Sequence, residues 1–101
     1  MFVVAPKLHD RKAPSPGSRP PAWRQALQQD LGAVVRRQRI ASGLTQRQLA
    51  ERLGTSHSAV SRLEQGHQLP RLATLDAIAR ATRHRFSLTF SPDGSWSIQD
   101  L

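Results

Sequence analysis

Residues 43–66 read GLTQRQLAERLGTSHSAVSRLEQG, and the fold turns on this stretch. Two helix-start rules coincide at Thr45. Its hydroxyl can accept from the Gln48 amide while the Gln48 side chain reaches back to the Thr45 amide, and Leu44 and Leu49 bracket this capping box as a hydrophobic staple. A helix is therefore expected from Gln46, burying Leu49, Ala50 and Leu53 and stopping at Gly54. Only Gly54-Thr55-Ser56 separates it from a second apolar period, with Ser56 as N-cap, Val60 and Leu63 three apart on one face, and Gly66 as the stop. The spacing predicts a short helix from His57. Two helices joined by a tight glycine-containing turn make a helix-turn-helix, whose second helix can present its outer face to the major groove of DNA.

The pattern continues on both sides. Upstream, Trp23, Leu27, Leu31, Val34 and Val35 recur at spacings of three and four, which predicts one helix or two consecutive ones from Ala22 to Ala41, closed by Gly43. Downstream, a further helix follows Pro70 with Leu72, Leu75, Ile78 and Ala79 expected inward. After Arg85 the period drops to two: Phe86, Leu88 and Phe90, then a Ser91-Pro92-Asp93-Gly94 turn, then Trp96 and Ile98. This predicts a β-hairpin. A lone hairpin is marginal in water, and its open edge invites pairing, so a second copy of the chain is expected to cover it. Phe86, Leu88, Phe90, Trp96 and Ile98 are accordingly read as a dimerisation set, with a patch for another partner as the alternative. The stretch Lys7 to Pro21, KLHDRKAPSPGSRPP, holds four of the seven prolines and little to bury, and reads as a flexible linker. Met1 to Ala5 reads as a frayed end or a short docking segment. Three segments follow: a basic Pro-rich tail (1–21), a helix-turn-helix domain (22–84) and a C-terminal strand or hairpin for dimerisation (85–101).

The chain has 101 residues, a size for one small domain with a tail, and a net charge of +8. Thirteen of its fifteen basic residues are arginine, whose fork binds phosphate bidentately, so an anionic partner is expected. Residues 31–86 carry ten arginines against three carboxylates, for +7, whereas residues 87–101 carry only Asp93 and Asp100. The absence of cysteine excludes disulfides, thiolate zinc sites and cysteine nucleophiles. The longest apolar run, Phe2 to Ala5, falls far short of the roughly 20 residues that cross a bilayer, so a soluble, cytoplasmic protein is expected. His9, His57, His67 and His84 show no metal-ligand spacing, and no Gly-rich phosphate loop or nucleophile motif occurs. No enzyme activity, cofactor or metal is therefore expected.

The segments LGAVVRRQR (31–39), GLTQRQLAERLGTS (43–56), AVSRLEQG (59–66) and P-x-L-x-TL-x-x-IA-x-A (70–81) together resemble the Cro/repressor-type helix-turn-helix proteins, the XRE family. The resemblance implies a mainly α fold, a bundle of four to five helices that binds operator DNA as a dimer. A strand pair stands here in place of the fifth helix, as in small antitoxin-like members whose C-terminal strands pair across the dimer. Arg83 stands where related sequences often close the fourth helix with glycine. Carried over by position, Gln46 matches a glutamine that hydrogen-bonds a phosphate and buttresses the recognition helix. Ser56, His57, Ser58, Ser61 and Arg62 match positions facing base edges, and Arg39 and Glu64 match a partly buried ion pair. The pair has independent support, because Glu64 adjoins core residue Leu63 and a buried unpaired carboxylate is costly.

Physical chemistry narrows some of these roles. The Arg62 guanidinium can donate twice to O6 and N7 of a guanine, or else hold a phosphate or stay solvated. His57 can meet a guanine N7 or a phosphate, or cover the start of its helix. Ser58 and Ser61 suit base or backbone, and Ser56 suits capping more than reading. Arg36, Arg37 and Arg47 can neutralise phosphates or form a solvated face. Lys7, Arg11, Lys12 and Arg19 can form a minor-groove arm or a plain basic tail. The expected function is a homodimeric, sequence-specific transcriptional repressor on double-stranded DNA with a pseudo-palindromic operator. The alternative is an antitoxin that neutralises a toxin protein and autoregulates its own operon. RNA is disfavoured because no aromatic stacking platform accompanies the arginines.

Overall fold

The computed structural model describes residues 7–11 and 22–100. In chain order it contains strand β1 (Lys7–Arg11), helices α1 (Ala22–Ala41), α2 (Gln46–Leu53), α3 (His57–Glu64) and α4 (Leu72–Thr82), then strands β2 (Phe86–Phe90) and β3 (Trp96–Asp100). Four helices and a C-terminal antiparallel hairpin make the fold mainly helical. The expected capping box is present: the Thr45 N–H donates to Gln48 Oε1 at 2.9 Å, and the Gln48 N–H to Thr45 Oγ1 at 3.1 Å.

Three helices end in the same double closure, and α4 shares its outer bond. The Leu44 N–H reaches the Arg39 carbonyl at 3.1 Å and the Gly43 N–H that of Ile40 at 3.0 Å. Thr55 and Gly54 repeat the pattern after α2, and His67 and Gly66 after α3. This Schellman closure requires a left-handed residue, a role that Gly43, Gly54 and Gly66 fill at φ 73°, 69° and 75°. After α4 the His84 N–H likewise returns to the Ala79 carbonyl at 3.3 Å. Here Arg83 takes the left-handed position at φ 57°, which costs an L side chain roughly 1–2 kcal/mol.

Two cores share α1 as a wall. Val35 packs with Leu44, Leu49, Ala50, Val60, Leu63 and Ile78, and Leu53 lies half-buried against them. Leu27, Leu31 and Val34 pack with Trp96 and Ile98, flanked by the partly buried Trp23, Phe86 and Leu88. Consecutive helical residues point about 100° apart, so Val34 and Val35 serve different cores. Asp30 is buried on the sheet side, where its carboxylate accepts from the Trp96 indole N–H at 2.9 Å. Gly32 lets α1 approach α3: a Cβ there would meet the Leu63 carbonyl oxygen at 2.5 Å and that of Glu64 at 2.8 Å. Gln38 is buried, and its side-chain amide has no partner among the described residues.

Three expectations change. Residues 7–11, read as linker, form β1, which pairs antiparallel with β3 to give a three-stranded sheet in the order β1-β3-β2. Strand pairing uses backbone groups, so a polar composition conceals it; the one trace in the sequence is the proline-free interval between Pro6 and Pro14. Met1 to Ala5, Lys12 and Arg19 lie outside the described residues. Leu72, expected inward, is 83% exposed, because α4 first reaches the core at Leu75. The hairpin also needs no second copy to bury Trp96 and Ile98, since the sheet-side stripe of α1 covers them.

Arg83→Gly should stabilise the chain by up to about 1 kcal/mol, the left-handed strain being partly offset by glycine's greater freedom when unfolded. Gly32→Ala should destabilise it by about 1–3 kcal/mol through overpacking. Urea unfolding midpoints check both.

Candidate nucleic-acid interface

Burial of Val60 and Leu63 sets the roll of α3. Helical spacing then turns Ser58 and Arg62, one turn apart, to the opposite side, where both are exposed. His57 is exposed in the first turn and Ser61 is half-buried on the flank. The Ser56 hydroxyl accepts from the Ala59 N–H at 3.1 Å, so it is the N-cap. Gln65 was not anticipated. It is exposed one turn beyond Ser61, and its Nε2 donates to the Ser61 hydroxyl at 3.4 Å. Its separation of seven residues from Ser58 and four from Ser61 is the signal that places it on this face.

One carboxylate fixes the end of α3. Glu64 Oε2 accepts from Arg39 Nε at 2.6 Å, and its Oε1 from an Arg39 terminal nitrogen at 3.1 Å, a bidentate pair with side chains 13% and 3% exposed. Another terminal nitrogen of Arg39 donates to the Leu44 carbonyl at 2.9 Å. Gln46 Nε2 donates to the same Glu64 Oε1 at 3.1 Å. Glu64 therefore joins the end of α3 to both α1 and the start of α2. An amide nitrogen has two hydrogens, so Gln46 retains one donor for an outside acceptor.

Gln46, Arg47 and His57 line one open hollow between the end of α1, the start of α2 and the start of α3. Arg47 and His57 also line the adjoining depression beside Thr55. Arg36 and Arg37 are exposed on α1, but they do not share a side. At about 100° per residue, Arg36 lies beside Arg39 on the helix-turn-helix flank, whereas Arg37 points away from Val35 toward the sheet side. Lys7 and Arg11 belong to β1 and run alongside β3. Among the described residues, no three His, Asp or Glu come together as a metal site, and no helix is long and apolar enough to cross a membrane.

A family model described as a helix-turn-helix domain matches residues 30–84, more than half of the chain. Among solved structures, the chain is similar to the clp gene regulator ClgR from C. glutamicum. The two share 33% identity at a TM-score of 0.55, over 56% of this chain and 74% of that one. No curated protein matches.

Removing one partner of a buried pair strands the other. Glu64→Ala should therefore cost about 3–5 kcal/mol, whereas the double variant Arg39→Met with Glu64→Leu should recover most of that loss. A double variant as unstable as Glu64→Ala in thermal unfolding would refute this account of the pair.

Proposed function

The chain belongs to the helix-turn-helix domain family, and on that premise we propose that it is a non-enzymatic, homodimeric repressor that reads a pseudo-palindromic operator in the cytoplasm. The observation that carries this reading is the outward stripe of Ser58 and Arg62 on a helix whose end is locked by the Glu64 pair. Such a stripe fits the major groove, where one guanidinium contacting O6 and N7 of guanine discriminates by about 1–3 kcal/mol. Gln46, Arg47, Arg36 and the first turn of α3 supply donors for the flanking phosphates, and Arg37 contributes at longer range. His57 sits at the rim, between base and phosphate roles. The likeness to ClgR, a gene regulator by its description, supports a role in transcription. Occupying a promoter with two recognition helices, about 34 Å apart in successive grooves, would block it.

An antitoxin role remains the second reading, favoured by one observation. Leu69 and Leu72 are 42% and 83% exposed, an apolar surface beside α4 that DNA reading leaves unused. A Leu69→Ser, Leu72→Ser variant that represses normally and still neutralises the product of a neighbouring gene would remove its support.

Selection from a random duplex library should return a palindrome with half-sites one helical turn apart. Arg62→Ala should relax preference at one position and lose about 10-fold or more in affinity, a value within the 1–3 kcal/mol of a bidentate base contact. Arg47→Ala should weaken all sequences alike and lower the salt slope by about 1. An unchanged site preference and affinity for Arg62→Ala in competition gel shifts would exclude base reading by this residue.

A further inference from the structure

A cavity of about 300 Å³ opens between α2, α3 and α4, with no residue of α1 or of the sheet in its lining. Leu53 of α2, Val60 and Leu63 of α3 and Ala77 of α4 make it largely apolar. Val60 and Leu63 are buried in the main core, and Leu53 packs against that core, so this wall is held in place. The space exists because α4 presents alanine there. Ala73 and Ala77 both line it, and residues four apart are neighbours on a helix surface, so no longer side chain fills the gap.

Charge defines the occupant. Arg71 is the one charged residue of the lining, and its guanidinium is in no ion pair among the described residues. Gln68 and Thr74 also line the cavity, and no hydrogen bond within the described residues occupies their side chains. An apolar lining with a few converging polar groups is the composition of small-molecule sites, and this volume lies at the lower end of their range. A lone cation at such a lining calls for an anion with an apolar body, and a guanidinium can donate twice to a carboxylate.

We propose that this cavity binds a compact organic carboxylate and that its occupancy weakens the hold of the chain on DNA. The binding half rests on the cavity alone, and the second half rests on the repressor reading. Ala59, Val60 and Leu63 all belong to α3, so the ligand lies against the helix that bears Ser58 and Arg62. Its carboxylate cancels the Arg71 charge beside that helix, which subtracts from the attraction of the domain for phosphate. By linkage, a bound duplex lowers the affinity for the carboxylate by the same factor.

Benzoate and hexanoate are the probes, one flat and one linear. Benzyl alcohol is the neutral counterpart, and acetate is a carboxylate without the apolar body that also keeps ionic strength equal. Added to the isotope-labelled full chain, either probe should shift the amide resonances of Ala59, Leu63 and Ala73. Benzoate should bind about 10-fold more tightly than benzyl alcohol, as a charge-assisted hydrogen bond requires, and acetate should leave these resonances in place. Arg71→Gln should abolish that preference for the acid. Ala73→Leu puts a good helix former into the gap, and should lose benzoate binding without lowering the thermal unfolding midpoint. In gel shifts on the selected duplex, benzoate should weaken binding by about 2- to 5-fold, the size of one screened charge pair, and should not affect Ala73→Leu. Shifts confined to Arg47 and His57, or equal binding of acetate, would reduce the effect to anion binding by a basic surface and overturn the site. Benzoate bound at α3 with duplex affinity unchanged would overturn the coupling. A chain that selects a duplex sequence but binds neither acid loses the cavity site and keeps the repressor reading. A chain that binds either acid at α3 but selects no duplex sequence keeps the site and loses that reading.

Discussion

The Glu64 carboxylate is the point on which the arrangement depends. It is the last residue of α3, buried beside Leu63, and an anion there is tolerable only with donors around it. Arg39 brings two of those donors from α1 and Gln46 brings one from α2. Hydrophobic contacts among Val35, Leu49, Val60 and Leu63 hold the helices together, but such contacts are non-directional and tolerate small rotations. The forked pair does not. It sets how far the outer face of α3 stands from the start of α2.

Much of this was legible in order of sequence. The box at Thr45, the cap at Ser56 and the glycine stops are local signals, and each is met by the backbone it predicts. The Arg39 and Glu64 pair was legible through the family resemblance, which names both partners, and the cost of burying a lone carboxylate next to Leu63 supported it. Non-local features were not. A period of three and four residues in α1 shows that the helix is amphipathic, but not that its stripe divides between two cores at Val34 and Val35. For the same reason the hairpin looked unburied, and its Trp96 and Ile98 were given to a second copy when α1 already covered them.

The strand β1 was hidden for a different cause. Side-chain patterns reveal a strand when one face is buried, whereas β1 joins through backbone hydrogen bonds to β3 and its polar composition carries no such pattern. At the site, exposure separated residues that sequence had grouped. Arg36 and Arg37 are neighbours in the chain, yet the turn of the helix directs one toward the helix-turn-helix and the other away from it. Gln65 joined the outward face of α3 through a hydrogen bond to Ser61 that no motif announces.

The double use of α1 also shapes how the molecule comes apart. Opening the sheet exposes Leu27, Leu31 and Val34 while Val35 remains enclosed by the other core. One helix thus backs both the sheet, through Leu27, Leu31 and Val34, and the end of α3, through Val35 and the Arg39 pair with Glu64.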